Sequence, residues 1–375
     1  MRARIVSARV FAAVALVWAV LGQVPMPGYG SWYLHVAALE TSLGAVVLAS
    51  VALIAAARPA RQRLVLALAL PAAAAGLLPL LAALPVYRRA DARFSLFEYL
   101  GRSRPTSVRV QRDVRLAAAI SLRADLYHPA GPGPHPYVVV VHGGSWQGGD
   151  KGAVPHVSYA LAGAGYTVAD VQYRLAPEYP FPNAVADVKC LAGSLRERAG
   201  EWAIDPTRGA YLGRSAGGQI ALVAAYTSGA ASLPPACAVA DQPPQAVVSF
   251  YAPTDLAWGH AHPLRPDVVR GPASLETYLE GPPSRRAEAY RLGSALSWTD
   301  RELPPTLLVH GDADRLVSAH HARRLWAGLE AHGRAVQLLL VPQAEHGFDV
   351  RAGGVGEQLA RSVLLRFLRE ALARG

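Results

Sequence analysis

Two kinds of apolar pattern divide the chain. Over the first hundred residues, long apolar stretches run from about Val6 to Val24, Val36 to Ala57 and Leu64 to Val86. The second and third are long enough to cross a bilayer of ~30 Å as helices, and the first offers about fifteen uncharged residues after Arg9. From residue 108 onward the apolar runs shorten and alternate with helix-like segments. Tyr137–Val141, Tyr166–Tyr173, Gly209–Arg214, Ala246–Tyr251, Thr306–His310 and Ala335–Val341 read as strands, and Ala184–Ala199 and Ala216–Tyr226 as helices. That alternation predicts a mostly parallel sheet flanked by helices on both faces. The expected organisation is a membrane anchor of three transmembrane helices (1–87), a juxtamembrane linker (88–107) and one α/β domain (108–375). A less regular stretch, 255–298, is rich in Pro, Arg and aromatics. It reads either as a small cap or lid over a pocket or as an ordinary excursion with two helices.

The chemistry concentrates at strand ends. Gly213-Arg214-Ser215-Ala216-Gly217 lies between a strand-like and a helix-like run. A G-x-S-x-G turn in that context is a nucleophile elbow, which lifts a serine hydroxyl clear of the sheet. Upstream, the strand ending at Val141 enters His142-Gly143-Gly144-Ser145-Trp146. Acyl transfer needs N–H groups aimed at a developing oxyanion. Gly143, Gly144 and Ala216, the residue after the serine, are the expected donors. His142 is expected to brace the loop, and Asp150 and Lys151 to be surface or loop charges. Downstream, Asp312 and Asp314 follow one strand and His346 follows the last. Asp314 is preferred as the acid and Asp312 as a turn residue, because a carboxylate past the strand end can orient a histidine. His310 reads as packed core, and His320 and His321 as the start of a helix. The order Ser215, Asp314, His346 is that of α/β-hydrolases.

From about Val108 to Ala373 the sequence resembles the hormone-sensitive-lipase-like and related bacterial carboxylesterases of the α/β-hydrolase superfamily. His142–Trp146 looks like their oxyanion motif, with Ser145 in place of a third glycine. Tyr173-Arg174-Leu175-Ala176-Pro177-Glu178, then Phe181-Pro182-Asn183-Ala184 and Asp187, is similar to a second signature of that family, whose role looks architectural. Asp205-Pro206-Thr207-Arg208 before the elbow strand is also typical of it. The resemblance implies a serine carboxylesterase, with Trp146 and Tyr251 as candidate pocket walls and no metal or organic cofactor. The substrate is expected to be a small-molecule or lipid ester. An acyltransferase on the same triad is the first rival, and a non-catalytic binding module the second.

The N-terminal stretch refines the setting. A cleaved signal peptide explains the first apolar segment alone but not the set of three. Arg2, Arg4 and Arg9 lie at or near the start of the first span, and Arg58, Arg61 and Arg63 separate the second from the third. The loop from Pro25 to His35 carries no Lys or Arg, so the N-terminus and second loop are expected in the cytoplasm and the catalytic domain outside. Arg88, Arg89 and Arg93 argue the other way. Trp32 and Tyr33 suit an interfacial aromatic belt, and Glu40, near the start of its span, is expected to reach the interface, with a buried functional carboxylate as the alternative. The segment 90–107 reads as an interfacial helix through Phe94, Phe97 and Tyr99, or as a tether. The formal charge of +10 comes from scattered arginines, with no basic patch or motif of a nucleic-acid binder. His260 and His262 lack the accompanying Cys or carboxylate cluster of a metal site. Cys190 and Cys237 are expected as unpaired thiols, with a disulfide open to them outside the cell.

Overall fold

The computed structural model describes residues 2–24, 28–56, 63–101, 107–117 and 121–373. Arg58 and Arg61, residues 102–106 of the expected linker and the Pro25–Pro27 stretch lie outside the described residues. Two compact units are present. One comprises Met1–Arg102, Gly311–Ala313 and Val341–Leu359; the other comprises Ser103–His310, Asp314–Leu340 and Ala360–Gly375.

The N-terminal unit is built from α1 (Arg2–Leu21), α2 (Tyr29–Glu40), α3 (Ser42–Ala55), α4 (Arg63–Arg89) and the short α5 (Leu96–Tyr99). Ala8, Ala12, Ala15 and Ala19 of α1 meet Ala45, Ala49 and Ala52 of α3 and Val65, Ala69 and Ala72 of α4. Spacings of three and four put each set on one helix face, and small side chains let the backbones approach closely. The larger apolar residues point outward: Val10, Val14, Val17, Val47, Ile54, Leu70 and Leu81 are all exposed. This inverts the usual order of a water-soluble bundle.

Three spans are expected, but among the described residues one helix, α4, is long and apolar enough to cross a membrane. The apolar part of α1, Val6–Leu21, is shorter, and α2 and α3 would form one span only across a 64° bend. The continuous span expected from Val36 to Ala57 breaks at Thr41, which leaves helical geometry at φ −109°, ψ 21°. Its hydroxyl donates to the Ala37 carbonyl (2.6 Å) and accepts from Trp18 Nε1 (3.0 Å), so side-chain bonds hold the corner. Two further expectations are corrected here. Trp32 is 6% exposed and faces inward, while Tyr33 stays exposed. Glu40 has a buried Oε2 near Gly354 rather than a carboxylate reaching outward.

The remaining elements are β1 (Arg109–Ala117), β2 (Leu122–His128), β3 (His135–Val141), α6 (Pro155–Gly163), β4 (Thr167–Val171), α7 (Asn183–Glu197), α8 (Ala199–Trp202), β5 (Ile204–Arg214), α9 (Ala216–Tyr226), β6 (Ala246–Phe250), α10 (Leu256–Ala261), α11 (Gly271–Leu279), α12 (Pro283–Gly293), β7 (Thr306–Gly311), α13 (His320–Ala331), β8 (Val336–Val341) and α14 (Val355–Ala371). The eight strands lie in the order β1-β2-β4-β3-β5-β6-β7-β8. β2 pairs antiparallel with β1 and β4, and the run β4-β3-β5-β6-β7 is parallel. Residues Val138–Val141 of β3 are buried throughout, as expected for a central parallel strand covered on both faces. Every residue of α9 is buried, so the helix that follows the elbow is wedged into the core. This is an α/β-hydrolase fold. Stretch 255–298 forms α10, α11, α12 and a 3-10 turn, Ala295–Trp298.

The cysteine expectation is also corrected. Cys190 and Cys237 form a disulfide, with their Cα atoms 5.4 Å apart. Cys190 is on α7, and the strandless segment after α9 returns to that helix, where Ala236 N donates to the Ala186 carbonyl (2.9 Å). A contact made by an irregular return leaves no trace in the 47-residue separation.

Candidate active site

Ser215 sits between the end of β5 and the first residue of α9 at φ 54°, ψ −123°. A non-glycine residue in this region is strained and persists only where its surroundings over-determine it. Here the flanking glycines do so. A Cβ on Gly217 would strike the carbonyl oxygens of Val141 and His142, and one on Gly213 would strike the Gly217 carbonyl. The Ser215 amide donates to the Phe250 carbonyl (2.9 Å) and its own carbonyl accepts from Gly218 (2.9 Å), so neighbouring strand and helix both fix the turn. Ala216 is buried at the N-terminus of α9, where unpaired N–H groups favour negative charge.

Gly143 is packed against this turn. A Cβ there would lie 3.0 Å from the Arg214 carbonyl oxygen and 3.1 Å from Ser215 Cβ. Gly144, at φ 128°, reverses the chain, and Ser145 and Trp146 follow at φ 52° and 62°. The structure therefore brings Gly143, Ser215 and Ala216 together, with Gly144 next to them on the loop. His142 braces that loop: its Nδ1 donates to the Gly143 carbonyl (2.7 Å), and its ring stacks on Tyr173 at 4.2 Å. The Tyr173 hydroxyl donates to the His142 carbonyl (3.1 Å), and burial pushes the His142 pKa down, keeping the ring neutral.

Trp146 is buried, stacks on Tyr278 of α11 at 4.6 Å, and donates from Nε1 to Gln219 Oε1 (2.8 Å). Gln219 in turn donates to the Gly293 carbonyl (2.8 Å), so one amide on α9 links the glycine loop to α12. Sequence reading missed Gln219; its place one turn past the serine is the signal that could have found it. Tyr251 is buried at φ 40° immediately after β6.

Asp314 is buried beyond β7. Its Oδ1 accepts the N–H groups of Leu316 (2.8 Å) and Val317 (2.9 Å), and its Oδ2 lies 3.2 Å from His310 Nε2. His310, read from sequence as core, is fully buried and also meets the Val317 carbonyl through Nε2 (2.9 Å). It is thus a neighbour of the expected acid as well as a core residue. Asp312 is exposed and accepts the Gln343 N–H (2.6 Å) from the loop after β8, a contact between two loops rather than within one turn. His321 is buried on α13, and burial pushes its pKa down to about 3. Its Nδ1 faces the N–H of Thr254 (3.2 Å), which needs a neutral ring.

His346 is 7% exposed on the loop after β8, in the same unit as the N-terminal helices. Its amide donates to Glu345 Oε2 (3.2 Å). Elsewhere, Arg174 clasps Asp187 through Nε (3.0 and 3.1 Å) and Nη2 (2.6 Å), tying the exit of β4 to α7. Lys151 pairs with Asp113 (2.7 Å). His260 meets Glu276 (2.8 Å), and His262 meets the Trp258 carbonyl (2.8 Å).

A serine forced into the left-handed region between a parallel strand and a buried helix, with a glycine loop packed on it, places the chain among proteins of the α/β-hydrolase fold. The BD-FAE family model matches residues 124–329, more than half of the chain, and the chain belongs to that family. Esterase LipQ of Mycobacterium tuberculosis is 27% identical over 232 residues, covering 61% of this chain and 54% of LipQ. Esterase LipC of the same organism is 29% identical over 239 residues, covering 62% and 58%. The chain thus spans little more than half the length of these relatives. A hyperthermophilic esterase from the archaeon Pyrobaculum calidifontis matches the fold with a TM-score of 0.59 at 22% identity, over 79% of this chain and 92% of that one.

Proposed function

We propose that the protein is a membrane-anchored serine carboxylesterase. Ser215 Oγ attacks the ester carbonyl carbon as His346 takes its proton, and Asp314 stabilises the imidazolium. The carbonyl oxygen, now negative, accepts N–H bonds from Gly143, Gly144 and Ala216. Collapse breaks the ester C–O bond, and the alcohol leaves with the proton from His346. Water then attacks the acyl-enzyme by the same route and frees the acid and Ser215. The helices α10–α12 are assigned as the cap, and Trp146 and Tyr251 as pocket walls.

The backbone of Ser215 carries this reading. A strained serine held by two glycines that admit no Cβ supports an exposed-hydroxyl role. The two N–H groups donated to one oxygen of Asp314 support its role as the acid, because they favour the carboxylate form. Esterase names among the relatives support the reaction class. Alanine seams inside outward-facing Val and Leu support the anchor, and the Cys190–Cys237 disulfide supports an extracytoplasmic catalytic domain.

The test is turnover of p-nitrophenyl esters from acetate to palmitate by the detergent-solubilised chain and its Ser215→Ala variant, with and without an added alcohol. Hydrolysis that disappears in the variant is expected. Product diverted mainly to the alcohol would replace the esterase by the acyltransferase, and equal turnover by both proteins would overturn the serine mechanism.

A further inference from the structure

The loop that carries His346 is tied to α2 by a buried carboxylate. Glu345 is 1% exposed. Its Oε2 accepts the His346 amide at 3.2 Å and lies 3.4 Å from Trp32 Nε1, and its Oε1 lies 3.4 Å from His35 Nε2. Trp32 and His35 are three residues apart on α2, so both side chains emerge on one face. His35 is itself held, because its Nδ1 lies 2.9 Å from the Leu21 carbonyl oxygen. A carbonyl only accepts, so Nδ1 carries a hydrogen. Nε2, on the other side of the ring, faces Glu345 Oε1. A buried carboxylate without such partners is costly, which makes removal of either one felt at the other.

The downstream end of the same loop is held separately. The Tyr87 hydroxyl of α4 donates to the Val355 carbonyl (2.7 Å), and Gln358 exchanges two hydrogen bonds with the main chain of Ser95 (2.7 and 3.0 Å). The Arg351 guanidinium lies over the Tyr99 ring at 4.2 Å. These contacts fix residues 351–358. The residue bonded to the His346 amide is fixed by Trp32 and His35.

We propose that Trp32 and His35 are positioning residues that act through Glu345 to hold the main chain at His346, so that the N-terminal helices orient the general base. The kinetic consequence rests on the esterase reading above; the tie to the loop does not.

The experiment uses the full chain in detergent and two readouts: hydrogen exchange of segment 343–349, and kcat and KM on a p-nitrophenyl ester. In Glu345→Ala and His35→Ala, exchange of that segment is expected to rise about tenfold or more, while segment 211–217 around Ser215 keeps its protection. Their kcat is expected to fall about 10- to 100-fold with KM nearly constant, because a small misplacement of a base acts on chemistry rather than on binding. Glu345→Gln keeps an oxygen to accept the His346 amide and is expected to recover most of kcat. If His35→Ala does not fold, Glu345→Ala and Trp32→Phe make the same comparison. Unchanged exchange at 343–349 in Glu345→Ala, or kcat indifferent to that change in an active enzyme, would overturn the proposal. Faster exchange in the variants of a chain that hydrolyses no ester would uphold the tie and sink the esterase reading instead.

Discussion

At Ser215 the main chain is held by backbone packing, whereas at His346 it is held by side chains from far along the sequence. The elbow is local: Gly213, Ser215 and Gly217 lie within five residues, and β5 and α9 are continuous with them. The Glu345 tie joins residues 313 positions apart. A serine set by sterics admits no adjustment, since a methyl group in the wrong place overlaps a carbonyl oxygen. A histidine held through hydrogen bonds can be loosened by degrees, through a helix distant in sequence. The two halves of one proposed reaction thus differ in how they should fail.

The largest loss outside Ser215 itself is expected from Asp314→Asn, about 10³- to 10⁴-fold in kcat, because the proposed base would lose the carboxylate proposed to set its tautomer. Asp312→Asn, its neighbour in sequence, should retain activity within a few-fold, and equal losses in the two would reverse the choice of acid. Gly217→Ala comes next. Its Cβ meets the carbonyls of Val141 and His142, so kcat/KM is expected to fall about 100-fold with a stability loss of ~2–4 kcal/mol. An active, stable Gly217→Ala protein would mean that the elbow is not rigid. Gln219→Leu leaves the Trp146 indole N–H without its acceptor and should lower stability by about 1–3 kcal/mol, read by denaturant unfolding, with a smaller effect on kcat.

The last prediction leaves neutral activity untouched. Burial pushes His321 down to about 3, so below its usual value near 6.5 the unfolded chain binds a proton that the folded one refuses. Stability should therefore fall as pH drops from 6.5 towards 3. A Tm-versus-pH series on His321→Asn should be flatter over that window than the parent. Parallel curves would show that His321 is not the group responsible.

How much was legible follows the same division. The strands β3 to β8, the elbow and the glycine loop could be read because each is a short apolar run ending in a local turn signal. β1 and β2 were not assigned: Val110, Val114 and Leu116 alternate with Arg and Asp, the mark of a half-exposed antiparallel edge rather than a continuous run. The break at Thr41 hid inside an apolar stretch because two side-chain hydrogen bonds, not a proline or glycine, make it. The contacts of Glu345 with His35, of Asp314 with His310 and of Cys190 with Cys237 depend on tertiary placement. No local pattern encodes them, although a glutamate beside the expected base was a hint that something faces it.

The central claim is that Ser215 is the nucleophile, and covalent capture tests it most directly. The full chain would be treated with a fluorophosphonate, and the adduct counted by intact mass and located by peptide mapping. The account predicts one adduct per chain, on Ser215, and none in Ser215→Ala. An adduct on another residue, or ester hydrolysis that continues in a chain whose Ser215 is never modified, would contradict it.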